Sequence, residues 1–510
     1  MQTTRREFLS AGAVTLAGAA LGMGKPARPN VLLILTDEQS LWTLGRYGGA
    51  LPGTPHIDSV GERGATFRNF FVTSAVCTPS RGCLMTGRFP HAHGAVHNDL
   101  PLHADEFTLG HMFQNAGYET GYAGKWHLDG KNDPNWPDWI PAERSFGFRD
   151  HRWMFNQGHW KRVVERPAGW PENKGRAVAS ASFDRDAVER GGSVYVATET
   201  DGRPDESYAV SAPGEYFTEW LTDKAIEFVE RPRASPFFYV LSYPDPHSPF
   251  SVEEPYASMF AKSELKLPET FHEKNLPQWA EKMRQEDLKR EGVANADDPK
   301  REAIFHARKA EYLGMVKCID DNVGRVLRTL RERGLEDDTL VIFTSDHGQY
   351  MGEHGMYFKN ALYETAHHVG TMMCWPGRIR AGMMVEPCIA NVDLLPTLAG
   401  LLGLKTAGRE QGRDGSALLR GETAGWEDVA FIHKDNFSQS GVFTSEWELG
   451  LAKDGGSVLF DRRKDPLQVR NLYGDAAHAG VVKRLTARTL EHNRKVGSPA
   501  MSWLEGLNAV

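Results

Sequence analysis

The chain has 510 residues, 40% of them hydrophobic and 25% charged, and a formal net charge of -8. That length allows a large buried core and more than one domain, and the composition is that of a globular protein. The negative balance argues against nucleic acid as the main partner, and five cysteines, odd in number and without a CxxC pair, argue against a disulfide scaffold or a cysteine-rich zinc site.

Arg5-Arg6-Glu7-Phe8-Leu9 precedes an Ala/Gly-rich run from Ser10 to Gly24. A charged start, a mildly apolar middle and small residues describe an export leader, and paired arginines followed by Phe-Leu resemble a twin-arginine signal. Residues 1–25 are therefore set apart from the fold, and the chain is expected in the periplasm or outside the cell, delivered by the twin-arginine export machinery. The run is too short and glycine-rich for a stable spanning helix, and no later stretch reads as one.

Val31-Leu32-Leu33-Ile34-Leu35-Thr36 is a continuous apolar run, the pattern of a strand buried on both faces of a parallel sheet. It ends at Asp37-Glu38. In open α/β sheets ligands gather beyond the carboxyl ends of strands. Two adjacent carboxylates there repel each other without a cation, so a metal is the natural partner, although either acid alone would also serve to cap a helix. Pro55 to Phe67 reads as a helix and a short strand leading to Cys77-Thr78-Pro79-Ser80-Arg81-Gly82-Cys83-Leu84-Met85-Thr86-Gly87-Arg88. Thr78 is the expected N-cap, Pro79 the first helical residue and Gly87 the stop. Cys77 then lies at a helix start with Arg81 one turn on, a setting that favours an anion and a reactive thiol. The gap of three residues between Cys77 and Arg81 is too short for the thiol phosphatase loop, which needs five; an isolated Cys here would read as a small buried residue beside a turn.

Cys-x-Pro-Ser-Arg followed by Thr-Gly-Arg resembles the signature of the type I, formylglycine-dependent sulfatases of the alkaline phosphatase superfamily. In that family a maturation enzyme converts the Cys to formylglycine, whose hydrated aldehyde is the nucleophile, and the resemblance makes Cys77 that residue. Arg28 to Asp37 is similar to the family's first strand, where the first acid binds calcium or magnesium; the second is often Asp and here is Glu38. The cluster His91, His93, His97 reads as polar pocket lining rather than metal ligands. Phe107 to Asn115 is an expected helix and Tyr118 to Ala123 a strand, delivering Gly124-Lys125-Trp126-His127. Lys and His two apart at a strand end face the same side. Alone they would be an edge Lys and a core His, but Gly-Lys-Trp-His resembles a second sulfatase motif, which implies that Lys125 contacts sulfate and the formylglycine while His127 acts on its second hydroxyl.

Residues 129–215, rich in Trp, Gly and Pro, are expected to wall the substrate pocket. Glu215 to Arg231 reads as a helix and Phe237 to Ser242 as a buried strand, which ends at Pro244-Asp245-Pro246-His247. This resembles the family's third motif, with His247 as a sulfate contact and proton donor. Residues 251–300 read as a charged surface excursion. Leu313, Val316, Ile319, Val323, Leu327 and Leu330 recur at three and four, marking an amphipathic helix closed by Gly334. The strand Thr339 to Ser345 presents Asp346-His347, a credible second half of a metal site, and the family places Asp with Asn or His there. Lys359, which alone would read as surface, matches the family's second sulfate-binding lysine. A strand at Thr371 to Cys374, a helix from Asp393 to about Gly403, strands within 457–461 and 465–473 and a last helix over 477–495 complete the reading.

Buried strands alternating with helices give an α/β fold. The resemblance implies an alkaline-phosphatase-like sandwich, a large mixed, mostly parallel sheet flanked by helices over residues 26–404, and a smaller C-terminal α+β subdomain with an antiparallel sheet over 405–510. It further implies a metal-dependent sulfatase that uses Ca2+, with Mg2+ as the alternative. The implied ligands are Asp37, Glu38, Asp346, His347 and position 77, with Arg81, Lys125, His127, His247 and Lys359 as further catalytic residues. Aromatic stacking on sugar faces makes a sulfated saccharide the favoured substrate. The rivals are a phosphonate monoester or phosphodiester hydrolase of the same superfamily and a non-catalytic exported binding protein.

Overall fold

The computed structural model describes residues 28–130, 140–157, 161–165, 177–181, 194–198 and 215–509. The export leader read over residues 1–25, and much of the tryptophan-rich insertion, lie outside the described residues.

The central sheet contains β1 (Asn30–Thr36), β2 (Ala65–Phe67), β3 (Glu119–Lys125), β4 (Asp150–Phe155), β5 (Phe237–Ser242), β6 (Thr339–Ser345), β7 (Thr371–Cys374) and β8 (Met383–Val385). Their spatial order is β8-β2-β7-β6-β1-β5-β3-β4. From β6 to β4 all neighbours are parallel; β7 runs against both β6 and β2, and β8 is parallel to β2. The carboxyl ends of β1, β3, β5 and β6 therefore share one edge.

Strand alternation sorts the apolar residues of β1 into two cores. Val31, Leu33 and Leu35 face one core with Leu84 and Met85 of helix α1 (Cys77–Thr86) and Leu394, Leu395 and Leu398 of α2 (Leu394–Leu402). Leu32 and Ile34 face the other, with Trp220 and Leu221 of α3 (Phe217–Glu230) and Ile319, Val323 and Val326 of α4 (Lys300–Glu332). All five β1 side chains are fully buried, each stabilising the sheet by about 1.5–3 kcal/mol. The expected mixed, mostly parallel sheet flanked by helices is the observed fold.

α4 follows the charged excursion as expected, starting at Lys300, and carries the stripe from Leu313 to Leu330 on one stretch of its length. Residues 251–300 differ from expectation. They include a helix at Gln278–Glu291, and Val252 and Phe271 bury against Phe305, Tyr312 and Met315 of α4. Their high charge hid these few apolar anchors.

The C-terminal region holds an antiparallel sheet of Ala430–His433, Gln439–Phe443, Trp447–Ala452 and Val458–Asp461. The closing helix, Ala479–Val496, packs Leu485 and Leu490 against Leu449, Leu451 and Leu459. The expected strand within 465–473 is absent. Asp465 turns the chain by accepting from the N–H groups of Val469 and Arg470, and Pro466 removes a donor. Among the described residues no helix is long and apolar enough to cross a membrane.

Candidate active site

The candidate residues converge at the shared strand edge. Asp37 and Glu38 follow β1, Lys125 closes β3, His247 lies on the loop after β5, and Asp346 and His347 follow β6. Asp37, Lys125, Asp346 and His347 are each fully buried. Cys77 is the first residue of α1, so the helix starts earlier than expected, with Val76 as N-cap. Thr78 is inside the helix and its hydroxyl donates to the carbonyl of His127 at 2.9 Å. Gly87 ends the helix in the left-handed conformation as expected.

Each central carboxylate is two-sided. Asp37 uses Oδ2 to accept from Lys125 Nζ, while its Oδ1 lies 3.5 Å from Cys77 Sγ. Asp346 uses Oδ2 to accept from Arg81 Nε at 2.8 Å, while its Oδ1 accepts from the Glu38 N–H at 3.0 Å and lies 3.7 Å from His347 Nε2. Arg81 is held in turn by the Lys125 carbonyl at 2.6 Å and Ser242 Oγ at 2.8 Å. One oxygen of each carboxylate thus faces a cation, and the other faces inward, that of Asp37 toward the thiol of Cys77 and that of Asp346 toward the Glu38 N–H and His347.

His347 Nδ1 lies 2.9 Å from the Gly348 carbonyl. A carbonyl only accepts, so Nδ1 carries a proton and Nε2, 3.2 Å from Cys77 Sγ, points its other valence at the cluster. Burial by itself pushes this imidazole down, but Asp346 and Cys77 more than offset that and carry it up to about 9. Donor atoms of Asp37, Cys77, Asp346 and His347 all lie within 4.8 Å of one another. Two inward carboxylate oxygens and an imidazole nitrogen, converging away from solvent, are a donor set that suits a divalent cation.

Glu38 sits outside that group of four. Its Oε2 lies 2.9 Å from Lys359 Nζ and 3.2 Å from His247 Nε2, while Oε1 is buried without a hydrogen-bond partner. Burial raises the Glu38 carboxyl, with Lys359 countering. Burial works against the Lys359 ammonium, but Cys77 and Glu38 hold it above its usual range. The orphaned Oε1 is the kind of atom a cation would satisfy. His247 Nδ1 is 2.6 Å from the Ser248 carbonyl and so carries a proton, leaving Nε2 to face the site. Glu38 and His127 adopt positive φ, 68° and 59°, a conformation that costs energy in residues with a side chain and gathers at functional sites. For His127 it breaks the strand alternation expected after Lys125.

The histidines of the cluster turn to separate partners, His97 to the Asn98 carbonyl at 2.6 Å. His93 is buried with its ring against Gly82 and 3.7 Å from Cys83 Sγ, and His91 lies 2.7 Å from the Val496 carbonyl. The residues missed by the sequence reading are supports. Asn391 donates to the carbonyl and hydroxyl of Ser80 and accepts from the Thr73 N–H, fixing the first turn of α1. Asn98 accepts from the Thr78 N–H at 3.1 Å. Only a polar residue closing an apolar strand, as at Ser242, carried a readable signal.

The profile of the Sulfatase family matches residues 29–404, and that of the N-sulphoglucosamine sulphohydrolase C-terminal family matches 352–495. An N-acetylglucosamine-6-O-sulfatase of Bacteroides thetaiotaomicron is 25% identical over 533 aligned positions, covering 92% of this chain and 86% of the relative. A solved structure described as a complex with its substrate, D-glucosamine-2-N,6-O-disulfate, superposes with a TM-score of 0.69 at 23% identity, covering 92% of this chain and 98% of that one. The phosphonate monoester hydrolase of Agrobacterium radiobacter superposes with a TM-score of 0.68 at 24% identity, covering 92% and 96%. The two superpositions carry the fold; the profile, spanning the whole sheet and every candidate residue of the site, carries the family. The chain belongs to the sulfatase family and is a sulfuric ester hydrolase.

Proposed function

We propose that the protein hydrolyses sulfate esters of a saccharide, with formylglycine made from Cys77 by a maturation enzyme and with a bound Ca2+, or Mg2+ in its place. The convergence of Cys77 Sγ with Asp37 Oδ1 and His347 Nε2 carries this reading. An oxygen in place of that sulfur would sit among hard donors and within reach of Lys359 and Lys125, which is where a nucleophile for an anionic ester belongs. Asp37, Asp346, His347 and position 77 would hold the ion, with Glu38 reaching it through Oε1. The ion would neutralise charge on the sulfate oxygens, and the hydrated aldehyde would supply one hydroxyl to attack sulfur and a second to expel sulfate.

The chain's own groups divide the remaining work. Lys125 and Lys359 offset charge on the transferring group. His247, whose Nε2 faces the site, gives a proton to the leaving alcohol. His127 takes the proton from the second hydroxyl. Arg81 has no role on substrate in this scheme; fully buried between Asp346 and the Lys125 carbonyl, it keeps the inward oxygen of Asp346 in place. A sulfated saccharide fits the sugar-directed relative. Export by the twin-arginine route fits a modification made on the cytoplasmic side, with residues 1–25 as leader, 26–404 as catalytic domain and 405–510 as C-terminal subdomain.

The test is mass spectrometry of the peptide carrying Cys77 from protein made in its native host, with rates on sugar sulfates and phosphate diesters measured in parallel. The expected result is a thiol-to-aldehyde mass change and a preference for sulfate. An unmodified Cys77 in active native enzyme would overturn the formylglycine reading, and a strong diester preference would overturn the substrate reading in favour of the phosphonate and phosphodiester hydrolases.

A further inference from the structure

Two residues before His247, Asp245 is buried and holds three donors. Its Oδ1 accepts from Lys161 Nζ at 2.5 Å, and its Oδ2 accepts from Tyr216 Oη at 2.5 Å and Thr218 Oγ1 at 2.7 Å. Lys161 is also buried and lies 3.3 Å from the His247 carbonyl. The Asp245 carbonyl accepts from the Asp37 N–H at 3.2 Å. Lys161 lies within residues 129–215, the segment expected to wall the pocket, and Tyr216 directly follows that segment. Arg162 pairs with Tyr216 in a short antiparallel ladder, and the Phe217 N–H donates to the Lys161 carbonyl.

Burying a carboxylate and an ammonium costs several kcal/mol per ion, and apolar residues of the same volume would pack as well or better. What the charged pair adds is direction: the donors come from three fixed points and fill most of the acceptor capacity of one carboxylate. Its backbone faces Asp37 on one side and leads into His247 on the other.

We propose that Asp245, Lys161 and Tyr216 form a clamp that joins the paired strands at Arg162 and Tyr216 to the His247 loop and fixes His247 Nε2 where the leaving oxygen departs. Asp245 is a positioning residue, and the clamp makes proton delivery depend on how Lys161 and Tyr216 hold it. This inference rests on His247 being the proton donor. A phenolate with a low pKa leaves without a proton, whereas a sugar alkoxide needs one. Loss of correct placement therefore acts on sugar esters and spares activated aryl esters.

The experiment compares kcat and KM of the mature full-length enzyme and its Asp245→Asn, Tyr216→Phe and His247→Gln variants. The substrates are 4-nitrophenyl sulfate and the sugar sulfate that the wild type turns over. Tyr216→Phe leaves the ion pair intact and keeps the test alive if Asp245→Asn does not fold. Expected is a fall in kcat on the sugar ester of about tenfold or more in both clamp variants, with aryl kcat within about twofold and KM little changed. His247→Gln should show the same selectivity, larger. Equal losses on both esters in the clamp variants, or none, with selective loss in His247→Gln, would overturn the clamp and leave the donor reading standing. If His247→Gln shows no selectivity, the donor reading fails and the clamp proposal falls with it.

Discussion

At the residue scale the site depends on carboxylates with two different faces. Asp346 bonds Arg81 with one oxygen and turns the other toward Glu38 N–H and His347, and Asp37 divides its oxygens between Lys125 and Cys77. On the proposed metal reading, removing charge from one of them would loosen a cation held mainly by charge. Asp346→Asn is expected to lower activity more than about a hundredfold and to weaken calcium by about 10–100-fold, so that added calcium recovers part of the rate. The check is a calcium titration of activity after chelation. The wild type should lose activity on chelation and regain it fully, and a wild type indifferent to chelator would remove the metal from the scheme. Lys359 shows the limit of local reading, because nothing around it in the chain announces that it meets Glu38 from 321 positions away.

At the element scale the site is a property of strand ends. β1, β3, β5 and β6 run the same way, so the residues closing them are neighbours. The spacing of β3 and β5 depends on Gly124, which has φ 102° and whose added Cβ would lie 1.8 Å from the Ser242 carbonyl oxygen. Both a forbidden backbone conformation and a backbone clash oppose any side chain there. Gly124→Ala is expected to push β3 off β5 at the point that presents Lys125, costing about 2–4 kcal/mol of stability and most of the activity. Denaturant unfolding alongside kcat measures both, and a variant with wild-type stability and rate would show that the strands have slack. At α1 the helix was readable from Pro79 and Gly87, but its start was not. Thr78 is an attractive N-cap by type, yet its hydroxyl is taken by the His127 carbonyl.

At the scale of the whole molecule, burial of neutral histidines shapes the response to acid. Burial pushes His93 and His433 down to about 3 and His367 down to about 4. The unfolded chain binds these protons near pH 6.5, so the folded state binds fewer protons between there and the folded values. Stability is therefore full above about pH 6.5 and falls as pH drops toward 4, each histidine contributing up to about 1.4 kcal/mol per pH unit. Carboxyls that burial pushes up work the other way, Asp287 to about 6 and Glu38, Glu353 and Glu448 in the same direction, so the histidine contribution is read as the difference between the wild type and a histidine variant. Between pH 6.5 and 4 the unfolding free energy of His433→Gln is expected to fall less steeply than that of the wild type, by about one proton. Identical slopes in the two proteins would mean that the His433 ring is solvated in the native state.

Some of this protein was determined by sequence alone, because the forces involved are local. Short β-branched or aromatic apolar runs at Val31–Leu35, Phe237–Leu241 and Leu340–Phe343 read as strands buried on two faces, and Gly87 and Gly403 stop helices because they accept a left-handed turn. The ordered motifs around Cys77, Lys125 and His247 likewise needed no coordinates to suggest a family. Other features were decided only by tertiary structure. The reversal of β7, the antiparallel sheet built from polar and glycine-containing strands such as Gln439–Phe443, and the clamp of Lys161 and Tyr216 on Asp245 all depend on partners far away in the chain. So does the division of the oxygens of Asp37 and Asp346 between a cation on one side and the cluster of Cys77, Glu38 and His347 on the other. A carboxylate's two oxygens are equivalent in sequence, and only the direction from which Lys125, Arg81 and Cys77 arrive makes them different.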